Sequence, residues 1–238
     1  MQRLFTIHPW QWAMALAGMA AMLSAHHAWL AAYAFFKPLA MLVAMACVWC
    51  LADRQRHPHT TRWLLAGLAL SLVGDVCLLT DWAFLPGLVA FLCAHLCYIA
   101  LLRRDRPWTW RSWAVAACGV SAAGVTTYGY LVVQGLAPAM RLPVAAYVLV
   151  IGAMVVHALA RAATLRTPGA WCVALGALSF MVSDSVLALN KFVAPVPASA
   201  LWILGTYYLA QWLIVHGLLQ ALHRPYQNKS YSPFIYNG

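Results

Sequence analysis

Glutamate is absent from the 238 residues, and five aspartates are the whole supply of acid. Charged residues of both signs make up 8% of the chain against 64% hydrophobic residues. So little charge excludes a soluble domain with a solvated surface, and so much apolar sequence excludes disorder. The C-x-x-C of Cys47 and Cys50 has no second pair and no βαβ pattern around it, so neither a zinc site nor a thioredoxin-like site is expected. Together with Cys77, Cys93, Cys97, Cys118 and Cys172, these two read as small packing residues without a disulfide framework. Nothing between the apolar runs is long enough for a soluble domain. Residues 1–238 are therefore expected to form a single membrane domain, with 223–238 as a cytoplasmic tail.

What the chain does have is apolar runs of membrane length. Eight fall near 10–25, 28–52, 62–80, 82–102, 111–133, 143–163, 168–190 and 199–222. At ~1.5 Å per helical residue each run is near the length that crosses a hydrocarbon core. The expected fold is all-α and polytopic, with eight transmembrane helices. Trp10, Trp29, Trp63, Trp82, Trp108, Trp110, Trp171 and Trp202 stand near span ends, as an interfacial aromatic belt requires.

The net charge of +10 does not point to nucleic acid, because the cations lie in the short segments between spans. Arg3, Arg54, Arg56, Arg62, Arg103, Arg104, Arg106, Arg111, Arg161, Arg166, Arg224 and Lys229 share one side if both termini do. Arg141 and Lys191 fall opposite, and Lys37 lies within a span. Twelve against two places both termini in the cytoplasm by the positive-inside rule. No cleavable signal pattern precedes the first apolar run, which is expected to be retained. Ala- and Trp-rich spans with short loops suggest a bacterial inner membrane. No protein partner is inferred.

Against this background Asp75, in LALSLVGDVCLL, and Asp184, in GALSFMVSDSVLAL, stand out. A carboxylate at mid-bilayer costs roughly 2.5–3.5 kcal/mol on insertion scales, so two within spans point to a functional interior site. Their segments resemble one another: an apolar run, a small residue, Asp, then more apolar residues. They lie four spans apart and so run in the same direction. A parallel four-plus-four helix repeat would bring both carboxyls to similar depth, facing each other in the bundle.

Lys37, Tyr207 and Tyr208 fall at comparable depth, with Asn190 and Lys191 at the outer rim. Pro38 is expected to kink the second span and aim Lys37 inward, either as a site residue or simply as the buried counter-ion of an aspartate. His95, His157 and His216 also lie within spans, at spacings unlike any compact ligand motif and nearer the cytoplasmic ends. They read as hydrogen-bonded core residues rather than metal ligands. His95 is retained as a supporting residue of the site, and His26, His27, His57 and His59 are expected to be solvated.

KPLAM at 37–41, LVGDVCLL at 72–79, FLCAHLCYI at 91–99, MVSDSVLALNKF at 181–192 and TYYLAQWLI at 206–214, in this order across eight spans, closely resemble the YhhN family. The resemblance runs over about 30–220 and leaves NKSYSPFIYNG at 228–238 outside it. It implies a lysoplasmalogenase, which hydrolyses the vinyl ether bond of 1-alkenyl glycerophosphoethanolamine or glycerophosphocholine to a fatty aldehyde and the glycerophospho-base. It also implies a lysophospholipid substrate taken from among membrane lipids, with no metal or organic cofactor.

The residues suit that chemistry independently. A vinyl ether is cleaved by protonating its outer alkene carbon, and water then captures the oxocarbenium ion. One acid and one carboxylate suffice, as in glycosidases. Burial disfavours charge on both aspartates, each disfavours charge on the other, and Lys37 favours ionisation of the nearer one. The sequence does not say which is acid and which is base. Tyr207, Tyr208, His95 and Asn190 are candidates to orient water or the glycerol hydroxyl, and Lys191 or Arg141 to hold phosphate.

Two other classes use similar residues. A proton-coupled transporter also carries intramembrane Asp, Lys and His, and a parallel repeat suits it. An intramembrane aspartyl protease often has G-x-G-D, but Leu72 occupies the position of that first glycine.

Overall fold

The computed structural model describes residues 8–103 and 110–222. Arg3, Arg104, Arg106, Trp108, Arg224, Lys229 and the tail at 223–238, on which part of the orientation and belt arguments rest, lie outside the described residues. Eight α-helices follow one another: α1 (Pro9–His26), α2 (Leu30–Leu51), α3 (Pro58–Cys77), α4 (Phe84–Leu102), α5 (Trp110–Val133), α6 (Pro138–Leu165), α7 (Pro168–Phe192) and α8 (Ser199–Leu222). A single 3₁₀ turn, Asp81–Ala83, leads into α4.

Proline sets several of the starts. Pro9, Pro58, Pro138 and Pro168 each open a helix, where the missing N–H has no intrahelical partner to lose and the fixed φ is already helical. This makes α3 begin four residues, and α6 five residues, ahead of the apolar runs expected at 62 and 143. Pro143 therefore sits in the second turn of α6, and Pro38 lies inside an α2 that continues as one helix on both sides.

Among the described residues, α2 to α7 are long and apolar enough to cross a membrane. The protein is a multi-pass membrane protein, but α1 and α8 do not pass that measure. α1 has 18 residues and carries Gln11 and Ser24. α8 is longer and is diluted by Thr206, Tyr207, Tyr208, Gln211, His216 and Gln220, several of which are buried against the bundle. The molecule is apolar outside as well as in: Leu16, Leu30, Phe35, Val125, Leu149 and Leu209 are exposed, while Gln11, Ser71, Asp75, His95 and Gln211 are buried. Bilayer-facing helices need no polar outer stripe, so apolar residues surround each helix.

Consecutive helices pair as α1–α2, α3–α4, α5–α6 and α7–α8, and α2–α3 and α6–α7 join the pairs. The α4–α6 contact has its counterpart four helices on in α8–α2. The regularity breaks at one place: α1 packs on α8, whereas α5 lies mainly against α6. Small residues bring α7 and α8 closest. A Cβ at Gly217 would strike the Gly169 carbonyl, and one at Gly176 would lie 2.9 Å from the Ala210 carbonyl oxygen. Backbone approach of this kind holds helices together in lipid, where apolar burial alone does not.

Candidate active site

Asp75 occupies the last turn of α3 and is almost wholly buried, with 1% of its surface exposed. The Tyr207 hydroxyl of α8 donates to its Oδ2 at 2.6 Å, and Lys37 Nζ of α2 lies 3.8 Å from its Oδ1. Lys37 is itself buried, so the sequence expectation of an inward lysine holds, although α2 runs continuously through Pro38. The Tyr208 hydroxyl faces the Lys37 carbonyl oxygen at 3.5 Å, too long for more than a weak bond. One turn before Asp75, Ser71 accepts from Gln211 Nε2 at 3.1 Å, and Gln211 Oε1 accepts from the Tyr98 hydroxyl at 2.9 Å. This buried chain ties α3, α4 and α8 together under the carboxyl group.

Asp184 stands in α7 with a different set. The Tyr147 hydroxyl of α6 donates to Asp184 Oδ2 at 2.5 Å. His95 Nε2 of α4 is 2.9 Å from the Tyr147 oxygen and 3.5 Å from Asp184 Oδ2. Since the tyrosine proton goes to the carboxylate, the imidazole N–H is left to donate to the tyrosine oxygen. This corrects the depth argument that kept the histidines apart from the aspartates: His95 converges with Asp184. His157 and His216 do not. His157 Nδ1 bonds the Ala153 carbonyl of its own helix at 2.7 Å, and His216 bonds Gln11 and Gln220. Among the described residues, no three His, Cys or Asp side chains converge as a metal-ligating group.

No hydrogen bond among the described residues joins the two carboxyl groups directly, and aromatic rings connect their partners. Phe180 packs edge-on against His95 at 4.6 Å and against Tyr207 at 5.4 Å, and Phe91 packs against both Phe180 and Tyr207. The interior therefore holds two polar clusters linked by aromatic contacts through Phe180.

The clusters correspond helix by helix. Asp75 of α3 is held from α2 by Lys37 and from α8 by Tyr207; Asp184 of α7 is held from α6 by Tyr147 and from α4 by His95. Shifting each element by four converts one set into the other. The small residue before each aspartate obeys the same rule. A Cβ on Gly74 would meet the Phe91 ring of α4 at 2.5 Å, and Ser183 donates to the Ile203 carbonyl of α8 at 2.9 Å.

Two cavities adjoin the clusters. The first is apolar, walled by Phe91, Val120, Leu131, Ile151 and Met181, and it is bounded by Asp184 and Tyr147. The second, about 240 Å³, opens at the end of the bundle where α3 gives way to α4, and it is lined by Lys37, Thr80, Asp81, Asn190, Lys191 and Ser199. Leu78, Phe84 and Leu187 line both. Lys191 Nζ bonds Asp81 Oδ1 at 2.6 Å, and Asn190 Oδ1 accepts from Val196 N at 2.9 Å. Arg141, expected as an alternative phosphate ligand, lines neither cavity; its Nε bonds the Leu136 carbonyl at 3.2 Å.

Sequence reasoning missed Tyr147 and Asp81. Tyr147 is a lone hydroxyl in the apolar run PVAAYVLV, and its position answers to Lys37 four helices earlier. Asp81 lies just beyond a helix end, where an acid attracts no notice.

The YhhN family model matches residues 32–218. The human protein named Lysoplasmalogenase TMEM86B is 36% identical over 199 residues, covering 81% of this chain and 76% of its own length. The Mycobacterium tuberculosis protein named Lysoplasmalogenase is 36% identical over 193 residues, covering 77% of this chain and 69% of its own. The human protein named Lysoplasmalogenase TMEM86A is 36% identical over 167 residues, covering 66% and 65% respectively. No solved structure matches the chain.

Proposed function

This chain belongs to the YhhN family, and we infer that it is a lysoplasmalogenase, a hydrolase that releases a fatty aldehyde from the vinyl ether of 1-alkenyl glycerophospholipids. Relatives carrying that name match most of its length. The observation that carries the chemistry is Asp184 on the wall of an apolar cavity that adjoins a polar one. A lysoplasmalogen has one apolar chain, one polar head, and its vinyl ether where the two meet. Asp184 lies three residues inside Leu187 on the same helix, ~4.5 Å by helical rise. That is the depth of the first chain carbons when the head occupies the rim.

Asp184 is the general acid. It has a hydroxyl and an imidazole beside it rather than a fixed cation, partners that can orient a carboxyl group for proton transfer. It delivers that proton to the outer alkene carbon, leaving an oxocarbenium ion and a carboxylate. The carboxylate then takes a proton from the water that attacks the cation. The hemiacetal so formed collapses to aldehyde and glycerol hydroxyl. Tyr147 and His95 orient Asp184 and spread its negative charge during the step. Asp75 remains paired with Lys37 and its carboxylate oxygens lend negative potential to the oxocarbenium ion. No metal or organic cofactor enters these steps.

Turnover in heavy water tests this order of events. One deuteron is expected on the carbon next to the aldehyde when the product is reduced promptly to the alcohol and weighed by mass spectrometry. Product without that deuteron overturns carbon protonation by a solvent-exchanged acid. The same enzyme in detergent, with no ion gradient, separates hydrolysis from proton-coupled transport, since a transporter releases no aldehyde.

Both termini face the cytoplasm and the membrane is a bacterial inner membrane in this reading, supported by the twelve-to-two distribution of cations. Reporters fused at the C-terminus and in the 134–137 loop are expected on opposite sides. Finding both on one side would overturn the orientation.

A further inference from the structure

The rim cavity holds an unusual balance of charge. Two lysines and one aspartate line it, Lys37 from α2, Lys191 from α7 and Asp81 from the turn before α4. Each lysine has an aspartate within ion-pair distance: Lys37 with the buried Asp75 at 3.8 Å, Lys191 with Asp81 at 2.6 Å. The two pairs differ in how firmly they are held. Asp75 is enclosed, whereas the Asp81 side chain is 95% exposed and Lys191 is 35% exposed. An exposed ion pair is worth little on its own, about 0–1 kcal/mol, so exchanging its partners is inexpensive. Lys191 also lies over the Phe84 ring, 5.3 Å from its centre, and Phe84 is one of the residues shared with the apolar cavity.

We propose that the rim cavity is a zwitterion site, in which Lys191 and Lys37 take the phosphate of the lipid head and Asp81 takes its ammonium group. The proposal rests on the hydrolase reading and gives that site its head-group chemistry. Entry of a glycerophosphoethanolamine or glycerophosphocholine head replaces the Lys191–Asp81 contact by two new ones, lysine to phosphate and aspartate to ammonium. No net charge is added, so a neutral head group leaves no unpaired charge behind at the membrane face. A head with phosphate and no amine leaves Asp81 facing that phosphate. The Phe84 face, vacated as Lys191 turns, is a cation–π surface for either amine. Thr80, Asn190 and Ser199 on the same wall supply neutral hydrogen-bonding groups for the glycerol hydroxyls.

The test compares two substrates on the full-length protein purified in detergent: 1-alkenyl-glycero-3-phosphoethanolamine and 1-alkenyl-glycero-3-phosphate, which lacks the base. Asp81→Asn is expected to raise KM for the ethanolamine lipid by about 2–5-fold, the scale of an exposed charge pair, with kcat unchanged. The same variant is expected to leave KM for the base-free phosphate unchanged or lower. Lys191→Gln is expected to raise KM for both. Asp81 lies outside the α-helices and its side chain is exposed, so its replacement does not threaten folding. Equal shifts for the two substrates in Asp81→Asn, or no shift for either, overturn the zwitterion site while leaving the hydrolase intact. A wild-type protein that releases aldehyde from neither substrate overturns the hydrolase reading, and the zwitterion site with it.

Discussion

Asp75 and Asp184 hold equivalent places in the two halves of the bundle, yet different partners surround them. Asp75 is flanked by a lysine and a tyrosine, Asp184 by a tyrosine and a histidine, all supplied by corresponding helices. The decisive difference is at one position, where α2 carries Lys37 and α6 carries Tyr147. A lysine gives Asp75 a buried counter-charge, and separating such a pair in a low-dielectric interior leaves two buried charges. A tyrosine and an imidazole give Asp184 hydrogen-bonding partners instead, and on the reading proposed above it is the acid that gives and regains the proton. Asp184 also borders a cavity lined with apolar residues. Two similar frames thus hold two differently partnered acids.

The sharpest way to break this comparison is to neutralise each carboxyl in turn. Asp184→Asn is expected to lower kcat by 10²–10⁴-fold, the usual loss for a general acid, while the melting temperature in detergent stays close to wild type. Asp75→Asn is expected to act on stability as well as activity, since it strands the Lys37 ammonium in the interior at a cost of about 3–5 kcal/mol. Adding Lys37→Met to Asp75→Asn is expected to recover most of the lost melting temperature without restoring full turnover. If Asp75→Asn left stability unchanged, Lys37 and Asp75 would not be a pair, and the division of roles would fall.

The tyrosines test the same contrast at lower amplitude. Tyr147→Phe removes the donor to Asp184 and is expected to reduce kcat by about 10–100-fold, with KM little changed, as one hydrogen bond to a charged group is worth about 1.5–3 kcal/mol. Tyr207→Phe removes the corresponding donor to Asp75 and is expected to show mainly in stability, by about 1–2 kcal/mol, with a smaller change in kcat. Equal kinetic losses in the two variants would make the sites functionally alike, as the helix correspondence alone suggests.

Much of the site is legible in the order of residues. Asp75 and Asp184 stand out because acid is scarce and expensive within apolar runs, and Lys37 and Tyr207 because their depth matches. All four belong to the two clusters. Asn190 and Lys191 fall at the rim by their place in the seventh span, and both line the polar cavity there. Tyr147 is invisible for a physical reason: a tyrosine in a membrane helix carries little hydropathic penalty, so nothing distinguishes one that orients an acid from one that packs. Asp81 is hidden by its loop, where a carboxylate costs nothing. The ring contacts by which Phe180 links His95 to Tyr207 were not legible either, because ring packing across helices leaves no periodic mark in a sequence.

The sequence alone determined the membrane class, the near positions of the eight helices, the family and the two acids, because each follows from local composition or from the fixed cost of burying charge. Helix ends were shifted by prolines at the first turn, a local effect that hydropathy does not weigh. Tertiary structure decided which aspartate has a lysine beside it, which has a tyrosine and a histidine, and that Asp184 borders the apolar cavity. Those outcomes depend on contacts between residues far apart in the chain, Lys37 with Asp75 and Tyr147 with Asp184, that helix packing brings to within 4 Å.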